Sequence, residues 1–91
     1  MYRIVFTKKF QRDYKLAEKR GLDKNLLNVV VGQLAAGKVL PAKNKDHLLK
    51  GHYKGFRECH IQPDWLLMYK IDHEEKILNL IRTGSHSDLF R

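Results

Sequence analysis

Five histidines, at positions 47, 52, 60, 73 and 86, stand in a 91-residue chain that has a single cysteine. His60 lies just ahead of a turn signal, Gln62-Pro63-Asp64. A histidine and a carboxylate four residues apart across a tight turn can meet, and the carboxylate then fixes the imidazole tautomer and supports proton transfer. The same spacing also serves a structural arrangement, in which Asp64 satisfies turn donors and His60 is a half-exposed sheet residue. Arg82 and His86 flank Gly84 and combine an anion-binding group with a proton-transfer group. Taken alone, Arg82 serves equally well as a surface ion-pair partner and His86 as a solvated tail residue.

Other chemistries find less support. No two histidines have the i, i+4 spacing of a helical zinc pair, and one cysteine excludes a cysteine-rich finger, so no metal site is expected. Gly51 and Gly55 follow Lys50 and Lys54 without forming a phosphate-binding Walker loop. Cys59 shares strand parity with Ile61, which predicts a buried thiol rather than a nucleophile. Among the aromatic residues, Tyr69 and Phe56 are assigned to the core. Trp65, beside the turn, and Phe90, near the terminus, are the candidates for stacking on unpaired bases.

These residues need elements to position them. Tyr2–Phe6 is aromatic and β-branched and predicts a strand. Thr7 can cap a helix from Lys8 to Arg20 with an apolar stripe of Phe10, Tyr14 and Ala17. Gly21 ends it, and Asp23 caps a second helix from Lys24 to Ala36. There Leu27, Val30, Val31 and Leu34 follow the clearest helical period in the chain. Residues 41–51 read as a loop. Three strands follow, Tyr53–Ile61, Trp65–Ile71 and Lys76–Thr83, and the apolar middle one should be central and covered on both faces. Residues 85–91 read as a short C-terminal tail. The expected fold is α+β: a small antiparallel sheet packed against an αα-hairpin, in the order β-α-α-β-β-β. Antiparallel pairing gathers His60, Asp64, Arg82 and His86 toward one end of that sheet, where His47 in the entering loop can join them.

Length and charge bound the rest. A chain this short buries about 60–65% of its unfolded surface as one domain. Nine aromatic residues and 43% hydrophobic content exclude a disordered chain, and no stretch approaches membrane-spanning length. The first residues do not form a signal peptide and the lone cysteine allows no internal disulfide, so a cytoplasmic location is expected. The formal charge is +8 and unevenly placed. Residues 1–50 carry 12 basic and 4 acidic side chains, whereas residues 51–91 carry six of each. A cationic half suggests a polyanion partner, with simple solubility as the alternative.

Three runs carry a resemblance: Lys45-Asp46-His47-Leu48-Leu49-Lys50-Gly51, then Lys54 to Trp65 including His60-Ile61-Gln62-Pro63-Asp64-Trp65, then Arg82-Thr83-Gly84-Ser85-His86-Ser87-Asp88-Leu89-Phe90. Together they resemble the YafQ branch of the RelE/ParE toxin superfamily, closely over the second half of residues 1–91 and loosely over the first. The resemblance implies a single RelE-like toxin domain that cuts messenger RNA in the ribosomal decoding site. It further implies silencing by a cognate acidic antitoxin. His47, His60, Asp64, Arg82 and His86 are then the catalytic set. Trp65, Phe90, Lys50 and Lys54 bind substrate, and Arg91 adds a charged terminus beside Phe90.

RelE-type enzymes proper use Lys, Arg and Tyr, so this histidine–aspartate set marks the branch. No cofactor or metal is implied, because RNA brings its own nucleophile in the 2′-OH. The implied roles are His60 with Asp64 as base, Arg82 at the phosphate and His86 as acid, with His47 holding the phosphate or sharing proton transfer. Two other functions compete: a ParE-like toxin that binds DNA gyrase, which has no need of the histidine set, and a non-catalytic RNA- or antitoxin-binding member.

Overall fold

The computed structural model describes residues 1–90. β1 (Arg3–Phe6) runs into α1 (Lys8–Lys19) through Thr7, whose hydroxyl accepts the Phe10 amide at 2.9 Å and donates to the Ile81 carbonyl at 2.7 Å. One threonine therefore caps the helix and ties its start to the sheet. α1 buries Phe10 and Ala17, while Tyr14 is only half-buried. Gly21, with φ of 77°, supplies the left-handed turn into α2 (Lys24–Ala35). Asp23 caps α2 through the Asn25 amide, and Leu27, Val30, Val31, Leu34 and Ala35 are buried.

The remaining strands are β2 (His47–Leu48), β3 (Arg57–Gln62), β4 (Trp65–Asp72) and β5 (Ile77–Gly84), followed by a one-turn helix, α3 (His86–Leu89). Their order across the sheet is β1-β5-β4-β3-β2. β4 is central as expected, and Trp65 through Tyr69 are all buried. Cys59, Trp65, Leu67, Tyr69, Leu78 and Leu80 join the helices in the main core. Leu66 and Met68 have the opposite parity and are buried on the other face.

The α+β class holds, with α1 and α2 on one face. The expectation of a wholly antiparallel sheet needs correction, because β1 pairs with β5 in parallel. The chain leaves β1 through the αα-hairpin, returns by β2, β3 and β4, and comes back beside its start in the same direction.

Residues 41–51 are not simply loop. They hold a 3-10 turn at Ala42–Asn44 and the two residues of β2, which pair with β3. Two residues are too few to show a period. The strand expected from Tyr53 begins at Arg57, since Gly51–Tyr53 is a second 3-10 turn and Gly55 takes a φ of 94°. Within the tail, His86–Leu89 is helical. Ser85 accepts the Asp88 amide at 3.1 Å while Asp88 accepts the Ser85 amide at 2.9 Å, a reciprocal capping box that the Ser-x-x-Asp spacing encodes.

Candidate active site

The sheet register assembles the site on the face away from the helices. His47 pairs with Glu58, Glu58 with Met68, and Met68 with Arg82, which forms one row across four strands. The next row runs His60, Leu66, Gly84. Gly84 allows the turn into α3: a Cβ there would lie 2.9 Å from Asp88 Cβ. His86 therefore starts its helix beside His60, with ring centroids 5.6 Å apart.

Asp64 serves a different histidine from the one the spacing suggests. Its Oδ1 accepts the His86 backbone amide at 3.0 Å and faces His86 Nδ1 at 2.6 Å. The expected His60–Asp64 pair is thus corrected to His86–Asp64, because the β3–β4 turn points Asp64 at the start of α3. These donors, the backbone amide first, hold the Asp64 carboxyl below its ordinary range.

His60 turns its Nδ1 to the Pro63 carbonyl at 3.2 Å, and His47 its Nδ1 to the Lys45 carbonyl at 2.7 Å. Carbonyl oxygens only accept, so each neutral ring carries its proton on Nδ1 and its lone pair on Nε2. His60 and His86 therefore have Nδ1 occupied and Nε2 available for chemistry, whereas His47 Nε2 lies 3.7 Å from the Glu58 carboxylate.

Arg82 is already paired. Asp13 on α1 accepts from its Nε at 2.6 Å and its Nη2 at 3.1 Å, and Asp13 also accepts the Thr83 amide at 3.2 Å. Those bonds keep the guanidinium charged. Nothing in the sequence points to Asp13, which lies 69 residues from Arg82.

Glu58 is the other residue whose part was missed. Its side chain is buried, with Oε1 3.7 Å from His47 Nε2 and Oε2 lacking any hydrogen-bond partner. A strand period of two places it on the His60 face, but its burial depends on cover that period alone does not reveal.

Trp65 cannot stack on a base, and this expectation is corrected. It is 2% exposed, and its indole N–H donates to Thr83 Oγ at 2.9 Å while Thr83 donates to the Leu66 carbonyl at 2.7 Å. Its parity with Leu67 sends it into the core, where it pins β4 to β5 next to the site. Phe90 remains 40% exposed and packs edge-on against Tyr53, with centroids 5.5 Å apart. Lys50 and Lys54 are exposed on either side of the second 3-10 turn. Arg91 lies outside the described residues. A cleft of about 310 Å³ adjoins His60, lined by Lys43, Asn44, Lys45, Gln62 and Pro63.

Burial pushes the Cys59 thiol up to about 12, which removes it as a nucleophile. An apolar groove of about 510 Å³ lies elsewhere, between α1, α2 and β1, and none of the histidines lines it. Among the described residues, no three or more His, Cys, Asp or Glu side chains are grouped to hold a metal ion.

The family model for a bacterial toxin of type II toxin-antitoxin system, YafQ, matches residues 2–91. The chain belongs to the YafQ toxin family. It is similar to the mRNA interferase toxin YafQ of Escherichia coli K12, 42% identical over 88 residues that span 96% of this chain and 94% of that one. It is also similar to YafQ in the crystal structure of the E. coli DinJ-YafQ complex, with a TM-score of 0.91, 40% identity and full coverage of both chains. A metal-bound toxin from Helicobacter pylori is 52% identical, with a TM-score of 0.93 over 99% of this chain and 100% of that one. The His47, His60, Asp64, Arg82 and His86 positions belong to this chain's own geometry.

Proposed function

We propose that this protein is the messenger-RNA-cleaving toxin of a type II toxin–antitoxin pair. It acts on the ribosome by metal-independent attack of the 2′-OH and is neutralised by an acidic antitoxin. The observation that carries this reading is the pair of imidazoles, His60 and His86, held through Nδ1 with Nε2 free, beside a charged Arg82. Cleavage of RNA by its own 2′-OH requires a base, a charge at the phosphate and an acid.

His60 Nε2 takes the 2′-OH proton as the 2′-oxygen attacks phosphorus. Arg82 faces the non-bridging oxygens as negative charge builds. His86, whose ring Asp64 holds through Nδ1, gives its proton to the departing 5′-oxygen, leaving a 2′,3′-cyclic phosphate. His47 sits across the phosphate in the Arg82 row and orients it, with Glu58 behind. Phe90 supplies an exposed ring for a base, and Lys50 and Lys54 supply charge for the RNA backbone.

Docking is a separate task. Lys8, Lys9, Arg12, Lys15 and Lys19 are exposed on α1 and suit ribosomal RNA, whose binding they favour by counterion release. The toxin of the E. coli DinJ-YafQ complex is a relative of this chain, which supports an antitoxin partner here as well.

The test is cleavage of a defined message by the purified protein. Cutting should require programmed ribosomes and survive a zinc- and copper-selective chelator, with magnesium retained for the ribosome. Loss of activity in that chelator would transfer the chemistry to a metal, the reading the metal-bound H. pylori relative favours. A DNA-damage response on expression, with no cut message, would favour gyrase binding.

A further inference from the structure

Arg82 reaches the open face with its charge already matched. Asp13 meets its guanidinium with both oxygens and also takes the Thr83 amide, and the two side chains are only 28% and 12% exposed. A two-point pair of this kind fixes both the position and the roll of the planar group. It leaves Nη1 as the guanidinium nitrogen that Asp13 does not hold.

Two helical turns beyond Asp13, Arg20 at the C-terminal cap of α1 binds Asp88 of α3 at 2.7 and 3.3 Å. Residues seven apart share a helix face. One face of α1 thus clasps the end of β5 with an anion and the start of α3 with a cation. The helix that carries the exposed basic residues is the one that braces Arg82 and the turn bearing His86.

Charge alone does not explain this arrangement. An arginine needed only to attract phosphate would attract it better without a carboxylate on its guanidinium, and an ion pair needed only for stability adds little when partly exposed. What the pair supplies is orientation. We infer that Asp13 is a positioning residue for the reaction proposed above, acting through Arg82 by aiming its free edge at the scissile phosphate. This rests on the ribonuclease reading. Asp13 improves the transition state and weakens ground-state attraction, so removing its charge should move the two in opposite directions.

The experiment is cleavage of ribosome-bound message by the wild type, Asp13→Asn, Arg82→Ala and the double variant, with thermal unfolding measured on each. Asp13→Asn should lower kcat by about 10- to 100-fold, the scale of a misplaced catalytic group. KM should be unchanged or lower, and adding Asp13→Asn to Arg82→Ala should cost no further activity. Unchanged kcat, a rise in KM alone, or equal losses in both backgrounds would overturn the inference. If Asp13→Asn does not fold, Asp13→Glu keeps the charge and displaces the guanidinium, and the same fall in kcat is expected.

If the wild type cuts no message, the ribonuclease reading fails by itself. A nuclear magnetic resonance titration of the Arg82 side-chain N–H with inorganic phosphate then decides the inference. A shifted Arg82 signal in the wild type and tighter binding in Asp13→Asn support it, and an undisturbed Arg82 signal overturns it.

Discussion

The two faces of the sheet are built by opposite rules. On the helix-covered face, Cys59, Leu67, Leu78 and Leu80 need only apolar neighbours, and any side chain of similar size and polarity would serve. On the open face, His47, Glu58, His60 and Arg82 stand in register over Leu66 and Met68, and the three imidazoles and the arginine are each aimed by one particular neighbour. Backbone carbonyls fix two imidazoles, a carboxylate fixes the third, and another carboxylate fixes the arginine. Substitutions on one face should therefore cost stability, and on the other, rate.

The sharpest separation is expected at His86. His86→Ala should reduce message cleavage by about 10²–10⁴-fold, the usual worth of a general acid. Its backbone amide still reaches Asp64, so the melting temperature should hardly move. A large drop in melting temperature would merge the two faces.

Leu67→Ala is the converse. Leu67 is fully buried on the helix side, and the change should cost about 2–5 kcal/mol of stability while cleavage per folded molecule is retained. Denaturant unfolding together with activity at low temperature would check both halves.

Trp65 spans the two regimes. Trp65→Phe leaves Thr83 without its indole donor, at a cost of about 1–3 kcal/mol, and should also slacken β5 just before Gly84. Stability and cleavage should fall together, unlike either case above.

The smallest effect is expected at the α3 cap. Ser85→Ala should cost about 0.5–2 kcal/mol. Arg20 and the Ser85 donors hold the Asp88 carboxyl well below the usual carboxylate range. A carboxyl lowered on folding adds stability that is present at neutral pH. That stability is lost as pH falls below about 4, where the unfolded chain starts to take up protons. The protection of α3 amides relative to their intrinsic exchange rate should fall over that acid range, and Asp88→Asn should flatten the response.

Much of the covered face is legible in the sequence. The caps at Thr7 and Asp23 and the Leu27-Val30-Val31-Leu34 period locate both helices to within a residue. The end of the sheet where the histidines gather follows from strand order and parity. The partners on the open face do not follow, because each joins residues far apart in the chain. Asp64 lies four residues from His60 and 22 from His86, yet binds the latter. The Asp13–Arg82 pair spans 69 residues and arises only once α1 packs on β5. The capping box at Ser85 is the exception, a local signal inside a segment taken for a tail.

The chemistry of the cut ends tests most directly whether the open face moves protons for an internal 2′-OH attack. Fragments released on programmed ribosomes, with transition metals chelated, should end in 2′,3′-cyclic phosphate or its 3′-phosphate product opposite a 5′-hydroxyl. A 3′-hydroxyl opposite a 5′-phosphate would mean that water attacked instead, and would contradict the roles assigned to His60, Arg82 and His86.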